Sequence, residues 1–206
     1  LALHIETPAA RIFHTADFKF DPKPLNEKPT DIEYLKEIGN KGVTLLISDS
    51  TGAERPGESV SEAAIFQNLE KIFQQSKGRI ITATFSSLIN RIQQLIQLSE
   101  QYGRKVAIDG YSMKSNVEIL KELNQIRIKK GTEIDIAQVD DYPENQITVI
   151  GTGAQGEERA VMMRIASGEH RHVKLKESDT IVFSSSVVPG NERTVQRMRD
   201  LLYRMG

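Results

Sequence analysis

The sequence predicts an α/β fold, a mostly parallel sheet flanked by helices. From Val43 onward, short apolar runs alternate with segments whose apolar residues recur at helical spacing. Polar breaks rich in Gly and Ser separate the two kinds of segment, as βα units require. The composition is that of an ordinary globular chain: 206 residues, 38% hydrophobic and 27% charged, with 14 Gly and 7 Pro. No apolar run is long enough to span a bilayer. The absence of cysteine excludes a disulfide framework and a thiolate metal site or nucleophile, and it fits a reducing, cytoplasmic setting. A net charge of −1 removes bulk attraction as an argument for nucleic-acid binding, so such binding must rest on local groups.

An opening strand pair is expected around Leu1 to Ile5 and Arg11 to His14. Leu1 reads as the inside of a strand, and Gly206 follows directly on a helical pattern. The chain is therefore expected to be a piece of a longer protein. The stretch from Asp21 to Pro29 packs three prolines into nine residues and reads as a linker. The first βα unit pairs the nearly continuous apolar run from Val43, of the sort buried on both faces, with a helix from Ser61 to Gln75. That helix has capping-box spacing at Ser59 and Glu62 and an apolar face of Ile65, Leu69, Ile72 and Phe73. The second pairs a strand from Arg79 with a helix from Leu88 to Tyr102, stopped by Gly103. The third pairs a strand from Lys105 with a helix capped by Ser115 and Glu118. A short strand from Ile134 to Val139 precedes a turn-rich stretch. The fourth unit joins a strand from Ile147 to a helix from Glu157 to Ala166, and the fifth joins one from Thr180 to a helix from Asn191 to Met205.

In a parallel α/β sheet, ligands bind beyond the carboxyl ends of the strands. Those ends carry Asp49-Ser-Thr, Thr84-Phe-Ser86-Ser87, Asp109-Gly-Tyr-Ser112, Gly151-Thr152-Gly-Ala-Gln155-Gly156 and Ser184-Ser185-Ser186, the last leading to Asn191. At any single junction these residues are what turns and helix caps require. Five such junctions on one edge would form a crest of neutral donors, suited to holding a phosphodiester through hydroxyls and backbone N–H groups. The turn at Gly151, Gly153 and Gly156 also satisfies the Gly-x-Gly-x-x-Gly spacing of a dinucleotide loop, whose ribose-binding acid would fall near Lys174 to Asp179. A Rossmann-like nucleotide- or dinucleotide-binding module without catalysis is therefore the alternative reading. His14-Thr-Ala-Asp17 could offer a metal a carboxylate just after a strand. His170-Arg-His172 reads as an exposed loop.

Taken together, the motifs from His14 to Asp21, Asp49 to Glu54 with Pro56-Gly57 and Ser61-Glu62, and Thr84 to Ser87 with Arg91-Ile92 form an ordered set. It continues with Gly110 to Met113, Thr152 to Glu157 and Pro189 to Glu192. This set resembles bacterial ribonuclease J, of the β-CASP group of metallo-β-lactamase-fold nucleases. The resemblance implies a Rossmann-like β-CASP domain over 30–206 and a remnant of the metallo-β-lactamase domain with its linker over 1–29. It implies RNA as partner, no membrane, and a parent that degrades and processes RNA as a 5′→3′ exonuclease, an endonuclease or both. A homo-oligomer is compatible with it. Asp17 would be a ligand shared by two divalent ions, zinc or manganese, and Asp49 would orient a catalytic His. Ser86, Ser87, Ser112, Thr152, Gln155, Ser185 and Asn191 would line the RNA channel. The family's His-x-His-x-Asp-His motif and its later glycine- and histidine-rich motifs are absent, so this stretch alone is expected to hold no metal and to be inactive. Ala16 replaces a usual Gly, and Leu88 stands where Asn is common.

Overall fold

The computed structural model describes residues 2–25 and 27–205; Leu1, Asn26 and Gly206, which fall in the expected strand, linker and helix stop, lie outside the described residues. The chain divides into two compact units, Leu1–Asn68 and Leu69–Gly206.

In the first unit, β1 (Leu3–Glu6) and β2 (Arg11–His14) pair antiparallel as expected, and β3 (Leu45–Ile47) joins β2 in parallel, with His14 opposite Ile47. The sequence assigned the β3 run to the main parallel sheet, but it completes this separate three-stranded sheet instead, which crosses the 29/30 boundary. All three β3 residues are exposed, so the apolar run is not covered on both faces. Helix α1 (Ile32–Asn40), which no motif announced, starts where the Asp31 carboxylate accepts the Tyr34 N–H. Residue Ala16 sits at φ 50°, the left-handed region where a Cβ costs roughly 1–2 kcal/mol and a Gly would be unstrained.

Helix α2 (Glu62–Gln75) begins later than its capping-box spacing suggested. The Ser61 hydroxyl accepts the Ala64 N–H, and the Asp21 carboxylate accepts the Glu62 N–H at 2.7 Å, so Ser61 and Asp21 replace Ser59 as the caps. That bond from the Glu62 amide is the largest influence holding the Asp21 carboxyl below its ordinary value.

The second unit is built on a wholly parallel sheet of order β6-β5-β7-β4-β8, formed by β4 (Ile80–Ala83), β5 (Lys105–Ile108), β6 (Glu133–Ile134), β7 (Ile147–Gly151) and β8 (Thr180–Phe183). Strands β4 and β7, apolar at most positions, are buried at every position, as befits strands covered on both faces. Helices α3 (Ile89–Gln101), α4 (Tyr111–Glu122), α5 (Val161–Ala166) and α6 (Glu192–Arg204) follow β4, β5, β7 and β8. Ile81, Val149, Met162, Ile165, Val173 and Met198 pack in one core. Two helix starts differ from expectation. Gly110, at φ 99°, turns the chain straight from β5 into α4, which puts Ser115 and Glu118 inside the helix. Residues from Glu157 form turns, so α5 starts only at Val161. The expected strand at 134–139 stops at Ile134, because Asp135 and Gln138 cap a short 3₁₀ turn.

Candidate nucleic-acid interface

Strand order decides where a ligand could enter the second unit. The chain leaves β5 toward β6 at one edge and leaves β7 toward β8 at the other, so the connections from these two neighbours part in opposite directions. Such a switch point opens a crevice at the carboxyl ends of the strands. Gly110 and Thr152 meet there. A Cβ on Gly110 would lie 2.8 Å from the Thr152 hydroxyl, so only glycine allows the two strand ends this close.

Ser86 and Ser87 follow β4, Ser112 lies in the first turn of α4 after β5, Thr152 follows β7, and Ser185 follows β8. All five therefore stand at the carboxyl edge of one parallel sheet. Ser87 and Ser112 are exposed, whereas Ser86 and Thr152 are half-buried. The Ser185 hydroxyl oxygen is buried and makes no hydrogen bond among the described residues. The helix after β5 lacks a side-chain cap, which leaves its first-turn N–H groups facing the same edge.

Two residues of the expected channel are already engaged. Gln155 is buried; its amide donates to the Ser186 carbonyl at 2.8 Å and accepts the Val188 N–H at 2.7 Å, so it stitches the β7 turn to the β8 turn. The Asn191 amide donates to the same Gln155 oxygen at 3.4 Å. Both read as scaffold beneath the edge rather than as groups offered to a strand.

The Gly-rich turn is likewise filled by the protein. A Cβ on Gly151 would lie 2.8 Å from Val161, one on Gly153 2.8 Å from Ala160, and one on Gly156 2.6 Å from the Thr194 backbone. In a dinucleotide loop that close approach belongs to the pyrophosphate; here α5 and α6 occupy it. The acid expected to hold a ribose, Asp179, precedes β8 and thus lies at the amino edge, where it pairs with Arg79 at 2.7 Å. The dinucleotide reading loses both of its supports. Gly156→Ala, at φ 74° and against backbone atoms, is expected to destabilise the fold by about 1–3 kcal/mol without any ligand present, as urea denaturation would show. A loss confined to ligand affinity would contradict this packing role.

The sequence reading missed the most connected group at this edge. His170, read there as part of an exposed loop, is buried, and its Nε2 lies 2.9 Å from Asp109 Oδ2. Its Nδ1 accepts the Val173 N–H at 3.0 Å, so the ring carries its proton on Nε2 and donates it to Asp109. Burial pushes the Asp109 carboxyl up, but hydrogen bonds from His170, the Gly110 backbone and Lys114 outweigh it and hold the group well below the usual carboxylate range. Asp109 at a strand end was visible in the sequence. Its partner, 61 residues away, was not.

In the first unit, Asp17 and Asp49 follow the adjacent parallel strands β2 and β3. Asp49 therefore does not stand on the five-stranded sheet with the other junctions. The Thr15 hydroxyl accepts the Asp49 N–H at 3.1 Å and ties the two strand ends together. Oδ1 of Asp49 accepts the Thr51 N–H at 3.0 Å and its hydroxyl at 2.8 Å, which lowers the Asp49 pKa and keeps the carboxylate ionised. Asp17 is exposed. Among the described residues no three His, Asp or Glu side chains converge as a metal site, so the residues present do not by themselves fit a pair of divalent ions. Nor is any helix among the described residues long and apolar enough to cross a membrane.

Comparison with known proteins agrees with this architecture. Residues 77–202 match the family described as Ribonuclease J, beta-CASP domain. The chain is 40% identical over 203 residues to Ribonuclease J of Helicobacter pylori strain 26695, covering 98% of this chain and 30% of that protein. It is 40% identical over 202 residues to Ribonuclease J of Thermus thermophilus, covering 98% and 35%. With Ribonuclease J of Mycobacterium tuberculosis it shares 39% over 206 residues, covering 100% and 37%. The chain thus spans about a third of the length of the curated relatives it matches. A parallel sheet with a hydroxyl-lined carboxyl edge and a family match over most of its length lead to one conclusion: the chain belongs to the ribonuclease J family and contains its β-CASP domain.

Proposed function

We propose that this chain is the RNA-holding part of a cytoplasmic, metal-dependent ribonuclease that cleaves RNA to leave 5′-phosphates, from the 5′ end, internally, or both. The observation that carries this reading is the row of Ser86, Ser87, Ser112, Thr152 and Ser185 at the carboxyl ends of four parallel strands, around the crevice between β5 and β7. Neutral hydroxyls and backbone N–H groups hold a phosphodiester in register without reading its sequence, which suits an enzyme that must let the strand move. Two divalent ions, zinc or manganese, belong to the full-length protein, with Asp17 as one of several ligands. Asp49 then acts as a positioning residue for a His outside this chain. The exposed apolar strand β3 is consistent with a sheet that packs against further chain. By itself, the 206-residue chain binds RNA weakly and does not cleave it.

The test has two arms. Short 5′-phosphorylated RNA at about 100 times its dissociation constant should stabilise the chain by about 2.7 kcal/mol, whereas nicotinamide and flavin dinucleotides should not. Cleavage of the same RNA with manganese or zinc should appear with the full-length protein and not with this chain. Stabilisation by dinucleotides alone would overturn the RNA reading. Metal-dependent cleavage by the chain alone, lost in Asp17→Ala, would overturn the assignment of the missing ligands to other residues.

A further inference from the structure

We propose that Lys114 and Arg164, held on Asp109 at the crevice between β5 and β7, form a phosphate-binding subsite for an internal phosphodiester of single-stranded RNA. This inference rests on the RNA-holding function proposed above and names where the strand meets positive charge on an edge otherwise lined by neutral groups.

The charges around Asp109 do not cancel. Lys114 Nζ lies 3.2 Å from Oδ1, and the Arg164 guanidinium lies 3.6 Å from Oδ2, the oxygen that already accepts from His170 at 2.9 Å. With its proton fixed on Nε2 by the Val173 N–H, His170 is a neutral donor. Two cations therefore face one carboxylate, leaving a surplus of one positive charge on a chain whose net charge is −1.

Exposure separates the anchor from the prongs. The side chains of His170 and Asp109 are 2% and 14% exposed, whereas those of Lys114 and Arg164 are 46% and 40% exposed. A pair whose sole duty was to neutralise Asp109 would be covered along with it, and a single cation beside the His170 bond would suffice. Arg164 is also under-used. At 3.6 Å it is attracted to Asp109 but not hydrogen-bonded to it, and its buried Nε makes no hydrogen bond among the described residues. A part-exposed guanidinium whose Nη2 is not hydrogen-bonded to Asp109 keeps donors that match the paired oxygens of a phosphodiester, and the flexible Lys114 ammonium adds a point charge beside it. Ser112, in the first turn of α4, and Thr152, just after β7, add hydroxyls at the same strand ends.

The test uses the full-length protein and a 5′-hydroxyl oligouridylate, so that no terminal phosphate contributes. Each phosphate contact on a single strand adds about 0.7 to the slope of log affinity against log salt. Lys114→Gln/Arg164→Gln should lower that slope by about 0.7 to 1.4 and weaken binding on the order of 10-fold at low salt, with the difference closing as salt rises. The charge-keeping pair Lys114→Arg and Arg164→Lys should retain the slope, which a purely structural role would not predict. RNA binding with an unchanged slope in the double Gln variant overturns the subsite and leaves the RNA reading standing. Titration with inorganic pyrophosphate, followed by the NMR signal of the Arg164 Nε–H, separates the other case. A shift of that signal without RNA binding upholds a phosphate site and overturns the RNA reading, and no response to either probe overturns both.

Discussion

Asp179→Ala is expected to destabilise the second unit by about 3–5 kcal/mol, the largest stability loss of any single substitution considered for this chain. Arg79 is 1% exposed and Asp179 2%, and they form a two-pronged pair, with Nε to Oδ1 at 2.8 Å and Nη2 to Oδ2 at 2.7 Å. Removing the carboxylate leaves a guanidinium that cannot shed its charge, with the Lys174 carbonyl, the exposed Asp140 carboxylate 3.6 Å away and the field of Glu144 as its remaining support. The Asp179 carboxylate also accepts the Lys176 N–H, so the turn into β8 loses an anchor at the same time. Urea denaturation should show a lower midpoint with an unchanged slope. A double variant, Arg79→Met/Asp179→Leu, should recover most of the loss, because an apolar pair carries no desolvation penalty. A loss below about 1 kcal/mol for Asp179→Ala would mean that water or Asp140 replaces the missing partner.

Asp49→Asn in the full-length protein is expected to lower turnover by about 10²-fold or more while leaving folding and RNA affinity nearly intact. An Asn side-chain oxygen can accept the same two bonds from Thr51 that Oδ1 accepts, so the turn survives. The negative charge is what disappears, and with it, under the proposed function, the means of fixing the tautomer of a His outside this chain. The Thr51 bonds depress the Asp49 pKa, so in the unaltered protein the charge is present at neutral pH and is lost only as the medium falls through the acid range. Single-turnover cleavage and equilibrium RNA binding should be measured side by side. Equal losses in both would make Asp49 a substrate contact, and no loss in either would leave it a turn residue.

The sequence by itself determined what short-range chemistry controls. The runs in β4 and β7 are apolar at most positions, and both strands are buried at every position, as strands covered on two faces are. Helices α3 and α6 have bounds within a residue of those expected, because helical spacing and stops such as Gly103 are read within a few turns of chain. The polar junctions after β4, β5, β7 and β8 share one edge for the same reason: in a wholly parallel sheet every strand must end on the same side.

Tertiary structure alone decided what depends on partners distant in sequence. Strand order took the β3 run out of the main sheet and put the switch point between β5 and β7, and neither follows from local propensity. Packing settled the Gly-x-Gly-x-x-Gly turn, since the same three glycines suit a pyrophosphate or a neighbouring helix, and only the positions of Val161, Ala160 and Thr194 tell them apart. Asp179 was drawn to the opposite edge by Arg79, 100 residues earlier, and Asp109 found His170 61 residues later. Local sequence can say that a carboxylate ends a strand. Which charge neutralises it is chosen by contacts that form only when the sheet closes, because a buried ion is tolerable only beside the partner that the fold brings to it.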